Sequence, residues 1–319
     1  MSDQGGWEGP FVGSATAGVF SHMALFYEGE EELIAGALGF IREGLKGSEP
    51  IMVALRRHQI DALRKALRGQ AAGVAFFDME EVAKNPARII PAWRKFVEQS
   101  SGVNLPFRGI GEPIWSGLNN EVLAECQLQE RLVNSVFAGT GPWQALCPYD
   151  VGSLEPAVLA EARLSHPLVF ESGRTTTLDG QPADPGEVLG WALPEPATSW
   201  AEIAFDGGSL SDLRQFVVGR AQLQPDRSEA LMMAASEAAA NSVRCGGGLG
   251  VLRMWRDDAE VVCEIRDRGG IAAPSAGGCR PPTDQQGGRG LWMANQLCDL
   301  VQIRSNASGS VVRIHMRLE

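Results

Sequence analysis

The sequence predicts two domains, an α/β unit built on a mostly parallel sheet and, after it, an α+β sandwich. Three observations lead there. The chain has 319 residues, more than a single hydrophobic core usually serves. Short apolar runs alternate with amphipathic stretches through the first half, and regular strand–helix alternation implies a parallel sheet covered by helices. In the last third a strand and two helices precede a run of strands, the order of helices laid beside an antiparallel or mixed sheet.

Each element has its own signal. "MALFYE" reads as a strand, and "EELIAGALGFIREGL" follows with Leu33, Ala37, Phe40, Ile41 and Leu45 at helical spacing. "PIMVAL" and "QIDALRKAL" repeat the pair, as do "GVAFFD" and "ARIIPAWRKFVEQS". "FRGIGE" leads into the long helix "LNNEVLAECQLQERLVNSVF", and "PWQALCPYD" into "PAVLAEARLSH". From Glu171 to Thr198 the sequence is rich in Pro, Gly and Asp and lacks period; it reads as a linker, packed in part through Trp191. Then "AEIAFD" is a strand, "SLSDLRQFVVGRAQL" a helix that Ser209 is placed to cap, and "PDRSEALMMAASEAAANSVRC" a longer helix with Pro225 in its first turn. "GVLRMWRD", "EVVCEIRDRGG", "VQIRSNASGS" and "VVRIHMRLE" read as strands and hairpin turns, with the helix "GRGLWMANQLCD" before the last pair. There is no internal repeat.

Composition excludes several classes. The net charge of −11 argues against a dedicated nucleic-acid binder, which needs a basic footprint. No apolar run reaches the length of a membrane span. The first residues lack a basic stretch followed by an apolar core, so they are not expected to form a signal peptide, and residues 1–20 read as a flexible tail. The six cysteines form no CxxC pair, which fits reduced thiols in a cytoplasmic protein. The four histidines are too dispersed for a metal site to be read from spacing.

Three pieces of the last third carry chemistry. Glu237 and Asn241, four residues apart on an alanine-rich helix, share one face. A carboxylate and an amide oxygen so placed can orient a water and ligate a hard cation such as Mg²⁺. "DRGG", Asp267 to Gly270, ends a strong apolar strand; an aspartate there can accept from an exocyclic amine. "GGRGL", Gly287 to Leu291, feeds a helix, and glycine-rich backbone at a helix N-terminus can cradle phosphate.

In that order and on those elements, the pieces resemble the N box, G1 box and G2 box of the Bergerat-fold (GHKL) ATPases, and most of all the small anti-sigma-factor serine/threonine kinases related to RsbW. The resemblance covers Trp200 to Glu319, and the domain is taken as residues 199–319. It implies Mg²⁺ on Asn241, a water or attacking hydroxyl polarised by Glu237, the adenine amino group on Asp267, and Gly269 lining the adenine pocket. Gly288, Arg289, Gly290 and Leu291 would lie along the phosphates, and Ile271 to Gln286 would form the lid. Many family members have histidine four residues after the asparagine. Here Cys245 stands there, a departure that bears on phosphoryl transfer more than on nucleotide binding. A histidine kinase is not expected, because no histidine sits in a helical hairpin before this domain. The resemblance implies an ATP- and Mg²⁺-binding module whose partners are a sigma factor and its STAS-type antagonist, and which either phosphorylates a Ser or Thr of a partner or, without catalysis, sequesters it. Homodimerisation is common among such relatives.

In the first half, "HMALFYEGEEEL", "FIREGLKGSEPIMVAL", "RGIGEPIW" and "CPYDVGSLEPAVLAEARLSHPLVFESG" resemble the MEDS domain, the methanogen/methylotroph sensory module, over residues 21–173, with the linker then at 174–198. The resemblance implies a RecA-like parallel sheet and a sensory or protein-binding role. Where a RecA-like ATPase needs GxxxxGK[ST], this chain has "YEGEEELI", so nucleotide hydrolysis is not expected there. The candidate ligand positions are His22, Tyr27, Glu112, Trp115, Cys147, Tyr149, Asp150 and His166, most of them at predicted strand ends, where open α/β sheets bind small molecules.

Overall fold

The computed structural model describes residues 20–100, 106–171, 173–178, 184–271 and 289–318. They divide into a first unit that runs to Ala183, apart from Lys84–Pro91, and a second that takes in Lys84–Pro91 and continues from Asp184.

The first unit runs β1 (Ser21–Tyr27), α1 (Gly29–Lys46), β2 (Ile51–Leu55), α2 (Arg57–Leu67), β3 (Val74–Asp78), α3 (Met79–Val82), α4 (Ile89–Ser100), β4 (Phe107–Gly111), α5 (Asn120–Val136), β5 (Trp143–Asp150), α6 (Pro156–Ser165), β6 (Leu168–Glu171) and β7 (Arg174–Thr177). The sheet order is β3-β2-β4-β5-β1-β6-β7. Every pair is parallel except the last, where β7 turns back on β6. The unbroken apolar runs in the sequence are explained by burial: β2 and β4 are buried from end to end, as strands covered on both faces must be. Helix α1 lays Leu33, Ala37, Phe40 and Ile41 on the core, and Glu30, Glu31 and Glu32 sit in its first turn, where the helix dipole favours negative charge. Asn119 caps α5 by accepting from Val122 N at 2.8 Å.

The second unit runs α7 (Pro185–Gly190), β8 (Ala201–Asp206), α8 (Leu210–Ala221), α9 (Pro225–Cys245), β9 (Leu249–Arg256), β10 (Glu260–Asp267), α10 (Arg289–Leu297), β11 (Leu300–Asn306) and β12 (Gly309–Arg317). Its sheet, in the order β11-β12-β10-β9-β8, is antiparallel throughout. Helix α9 buries Leu231, Ala234, Ala235, Ala238, Ala239 and Ser242. The alanines are therefore the packing face, small enough for the helix backbone to lie close to the sheet. Glu237 and Asn241 stand beside that face, half-buried.

Two readings of the sequence change. The stretch expected to be linker contains β7 and α7, and Val188 and Leu189 of α7 are buried. Trp191, expected to anchor it, is 49% exposed; the aliphatic pair does that packing. Ser209 does precede α8, but its hydroxyl turns away from the helix and donates to Asp206 Oδ1 at 2.9 Å. That oxygen also accepts from Gly208 N and Ser209 N, an Asx turn that outcompetes the cap. None of the described helices is long and apolar enough to cross a membrane.

Candidate functional site

A pocket of about 200 Å³ opens in the second unit beside the C-terminal half of α9. It is lined by Ala238, Asn241, Ser242 and Cys245 of α9, by Asp267 and Gly269 at the end of β10, and by Leu291, Ser310 and Val312. Four residues singled out in the sequence thus meet around one cavity: Asn241, Asp267, Gly269 and Leu291. Gly290 of α10 lies against Glu237, and a Cβ at Gly290 would fall 2.5 Å from Glu237 Oε2. Arg289 opens α10 and is exposed. Gly288 and all but the first residue of the expected lid lie outside the described residues.

Asp267 is the best-anchored group in the pocket. Its Oδ1 accepts from Gly269 N and from Ser310 Oγ, both at 2.8 Å, and its Oδ2 accepts from Ser242 Oγ at 2.5 Å. A carboxylate has about four acceptor sites, so one remains on Oδ2 for a ligand N–H. The pocket floor depends on close backbone approach: a Cβ at Gly269 would stand 2.4 Å from Gly246 Cα and 2.7 Å from the Cys245 carbonyl oxygen. Asn241 Oδ1 accepts from Arg244 Nη2 at 2.6 Å. Arg244 is exposed, so a cation that ligated Asn241 would displace a solvated side chain, not a core contact. The exposed thiol of Cys245 borders the same pocket.

The candidate residues of the first unit separate into two groups. Tyr27, at the end of β1, donates to Glu112 Oε1 at 2.5 Å, and Gln59 Nε2 donates to Glu112 Oε2 at 2.7 Å, with Arg56 Nε at 3.4 Å from the same oxygen. This group gathers at the C-terminal ends of β1, β2 and β4. A cleft of about 400 Å³ beside it is lined by Tyr27, Glu28, Glu32, Phe170 and Glu171 among others. Burial raises the Glu112 carboxyl above its ordinary range, against the bonds from Tyr27 and Gln59 and the Arg56 charge that lower it. Burial and the Glu112 charge raise the Tyr27 phenol as well. The second group is His22, Cys147 and His166, all buried, with Tyr149 nearby and Glu130 of α5 among them. Burial, then the neighbouring His166, lowers His22 to about 4. Burial pushes the Glu130 carboxyl up, but the imidazoles of His166 and His22 outweigh it and hold Glu130 below the carboxylate range. Asp150 serves its own turn, accepting from Gly152 N at 3.0 Å and Ser153 Oγ at 2.9 Å. Trp115, half-buried, belongs to neither group.

The raised Glu112 has a measurable consequence. The native state keeps this proton to higher pH than the unfolded chain, so the group's contribution is complete below the ordinary carboxylate pKa and is lost as pH rises through the raised value. Urea unfolding of the chain and of Glu112→Gln across that window should show the wild-type advantage shrinking as pH rises. A difference that stays constant or grows contradicts this.

Sequence reasoning missed Ser242, Ser310, Gln59, Arg56 and Glu130. Ser242 directly follows Asn241 and was within reach of a closer reading. Ser310 reaches Asp267 only through the β10–β12 pairing, Asp267 opposite Ser310, and Glu130 is one of many acidic residues on a long amphipathic helix; neither carries a local signal.

Residues 21–167 match the family described as MEDS, the MEthanogen/methylotroph, DcmR Sensory domain. Residues 208–316 match the histidine kinase-like ATPase domain. No curated protein matches the chain. One similar solved structure is that of the RsbU and RsbW domains of Rv1364c from Mycobacterium tuberculosis, at 20% identity and a TM-score of 0.29, over 38% of this chain and 33% of that one. The match thus spans about a third of the length of that structure.

Proposed function

We propose, for a chain in which a MEDS sensory domain precedes a histidine kinase-like ATPase domain, that the second domain is a Bergerat-type module that binds Mg²⁺·ATP and, under control of the first, binds and phosphorylates a partner protein on Ser or Thr. The partners are a sigma factor and its STAS-type antagonist. The observation that carries the reading is the pocket around Asp267: an anchored carboxylate with one acceptor site to spare, on a floor that admits no side chain at Gly269, bordered by Asn241.

The residues fit the group. Asp267 would accept from the adenine amine, held in aim by Ser242, Ser310 and Gly269 N. The Asn241 amide oxygen is a hard donor suited to Mg²⁺. Glu237, kept against α10 by the absence of a side chain at Gly290, would take the proton of the attacking hydroxyl. The N-terminus of α10, which begins at Arg289, is the kind of helix end that favours phosphate oxygens. Bound ATP supplies the phosphoryl group, and the chain's part is positioning and electrostatics. In the first domain, the cleft lined by Tyr27, Glu28 and Glu32 lies at a strand end, where open α/β sheets hold small molecules, and we assign a sensed ligand to it.

A second reading is favoured by Cys245, which stands where many relatives have histidine and borders the pocket. In it, nucleotide only stabilises a surface that sequesters the partner. Phosphotransfer to a purified STAS-domain partner separates the two.

The first test is thermal unfolding with ATP and Mg²⁺. A ligand at 100 times its Kd adds about 2.7 kcal/mol to the native state. Wild type should shift upward and Asp267→Asn should not, each compared with its own nucleotide-free melting point. No shift in wild type refutes the nucleotide site.

A further inference from the structure

We propose that the buried cluster of His22, Glu130, Cys147 and His166 in the first unit is a binding site for one Zn²⁺ ion. The four side chains come from four elements: His22 from β1, Cys147 from β5, Glu130 from α5, and His166 from the residue that ends α6. Each offers one donor atom, all four residues are buried, and the donor atoms lie within 4.8 Å of one another. His22 Nε2 is 3.3 Å from both Cys147 Sγ and Glu130 Oε2, and His166 Nε2 is 3.1 Å from Glu130 Oε2. A tetrahedral zinc with bonds of about 2.0–2.3 Å sets its ligand atoms roughly 3.3–3.8 Å apart. Those three separations are close to these dimensions, and the remaining ones are within 4.8 Å.

The hydrogen bonds around the cluster fix which way its lone pairs face. Asn134 Nδ2 donates to the Ser165 carbonyl at 2.7 Å, which leaves Asn134 Oδ1 facing His22 Nδ1 at 3.2 Å. A carbonyl can only accept, so the Asn134 amide cannot be reversed and His22 Nδ1 must carry a proton. His166 Nδ1 lies 2.8 Å from the Ala162 carbonyl and must likewise donate. In the neutral rings, both Nε2 atoms are then bare lone pairs, and both face Glu130, which is itself an acceptor. Neither Glu130 Oε2 nor His166 Nε2 has a hydrogen-bond partner among the described residues. The neighbouring donor is the Cys147 thiol, 3.3 Å from His22 Nε2 and only a weak one; buried acceptors so poorly served are costly, and a cation among them removes the cost.

Zinc answers the donor set in kind and in charge. Two imidazoles, a carboxylate and a thiolate are its common ligands, and the two negative charges cancel those of a divalent ion in a site closed to water. Imidazoles that ligate metal characteristically hold their other nitrogen on an outer acceptor, the role of Asn134 and Ala162 here. The ion would tie α5 and α6 to the centre of the sheet.

The test uses the full chain, dialysed against Zn²⁺ and then against metal-free buffer, with retained metal measured by mass spectrometry, and with Co²⁺ substituted to read the site by absorption. The expected result is one zinc per chain and a tetrahedral Co²⁺ spectrum with a sulfur charge-transfer band that Cys147→Ser abolishes. Asn134→Ala removes no ligand, so it tests the site even where the cysteine variant fails to fold; it should weaken zinc retention by about 10- to 100-fold. A wild-type chain that takes up no zinc overturns the proposal. So does a Co²⁺ spectrum unchanged in folded Cys147→Ser.

Discussion

Glu264→Ala lowers the free energy of unfolding by about 3–5 kcal/mol, the cost of leaving a buried charge without its partner. Glu264 is fully buried in the middle of β10 and Arg313, opposite it on β12, is 3% exposed. Arg313 grips one carboxylate oxygen with Nε at 2.9 Å and Nη2 at 2.6 Å, and Arg266 Nε takes the other at 2.5 Å. Alanine would leave the Arg313 guanidinium in the sheet with its bond to the Pro194 carbonyl but without the carboxylate. The comparison is Glu171→Ala, which breaks the half-exposed pair with Arg163 and should cost under about 1 kcal/mol. Urea unfolding of both variants checks this. Similar losses from the two would mean that burial does not govern these pairs.

Gly269→Ala destabilises the second domain by about 1–3 kcal/mol and removes the rise in melting point with ATP that the proposed function expects. The added methyl would meet Gly246 Cα at 2.4 Å and the Cys245 carbonyl at 2.7 Å, and Asp267 Oδ1 at 3.2 Å. The first two are backbone atoms at the end of α9, so relief requires the helix end and the β10 turn to part. That movement would pull Gly269 N from Asp267 and spoil the carboxylate's aim. Gly270→Ala is the control one residue on. Its nearest neighbour would be Ser305 Oγ at 4.0 Å, so the change should leave stability unaltered or raise it by up to about 1 kcal/mol. Chemical unfolding and nucleotide-dependent melting of the two variants separate a steric role from general intolerance of substitution. Equal behaviour of the pair would count against the close approach at Gly269.

The order of elements was legible because it rests on local pattern. The buried parallel strands announce themselves as unbroken apolar runs, and α9 begins at the Pro225 that its sequence marks and ends at Cys245. Helix α7 and strand β7 were not legible. Both are short, and "RTTT" in β7 has no buried face to enforce alternation, so their existence depends on β6 and on the core they cover. The box residues Glu237, Asn241, Asp267, Gly269 and Gly290 were weak signals one at a time and stood out only together, in their order along the chain and on those elements.

What the sequence determined by itself was therefore the two domains and the order of their longer elements, and it singled out Asn241, Asp267, Gly269 and Leu291, which the fold brings to one pocket. What only the tertiary structure decided was company: Ser242 and Ser310 on Asp267, Gln59 and Arg56 on Glu112, Glu130 between two histidines that lie 144 positions apart in the chain (His22 and His166). The physical reason is that periodicity and capping act over a few residues, whereas a lone pair's partner is set by strand register and helix packing. His22 and Cys147 meet because β1 pairs with β5, with Ala24 opposite Cys147, and no local feature of either strand specifies that pairing.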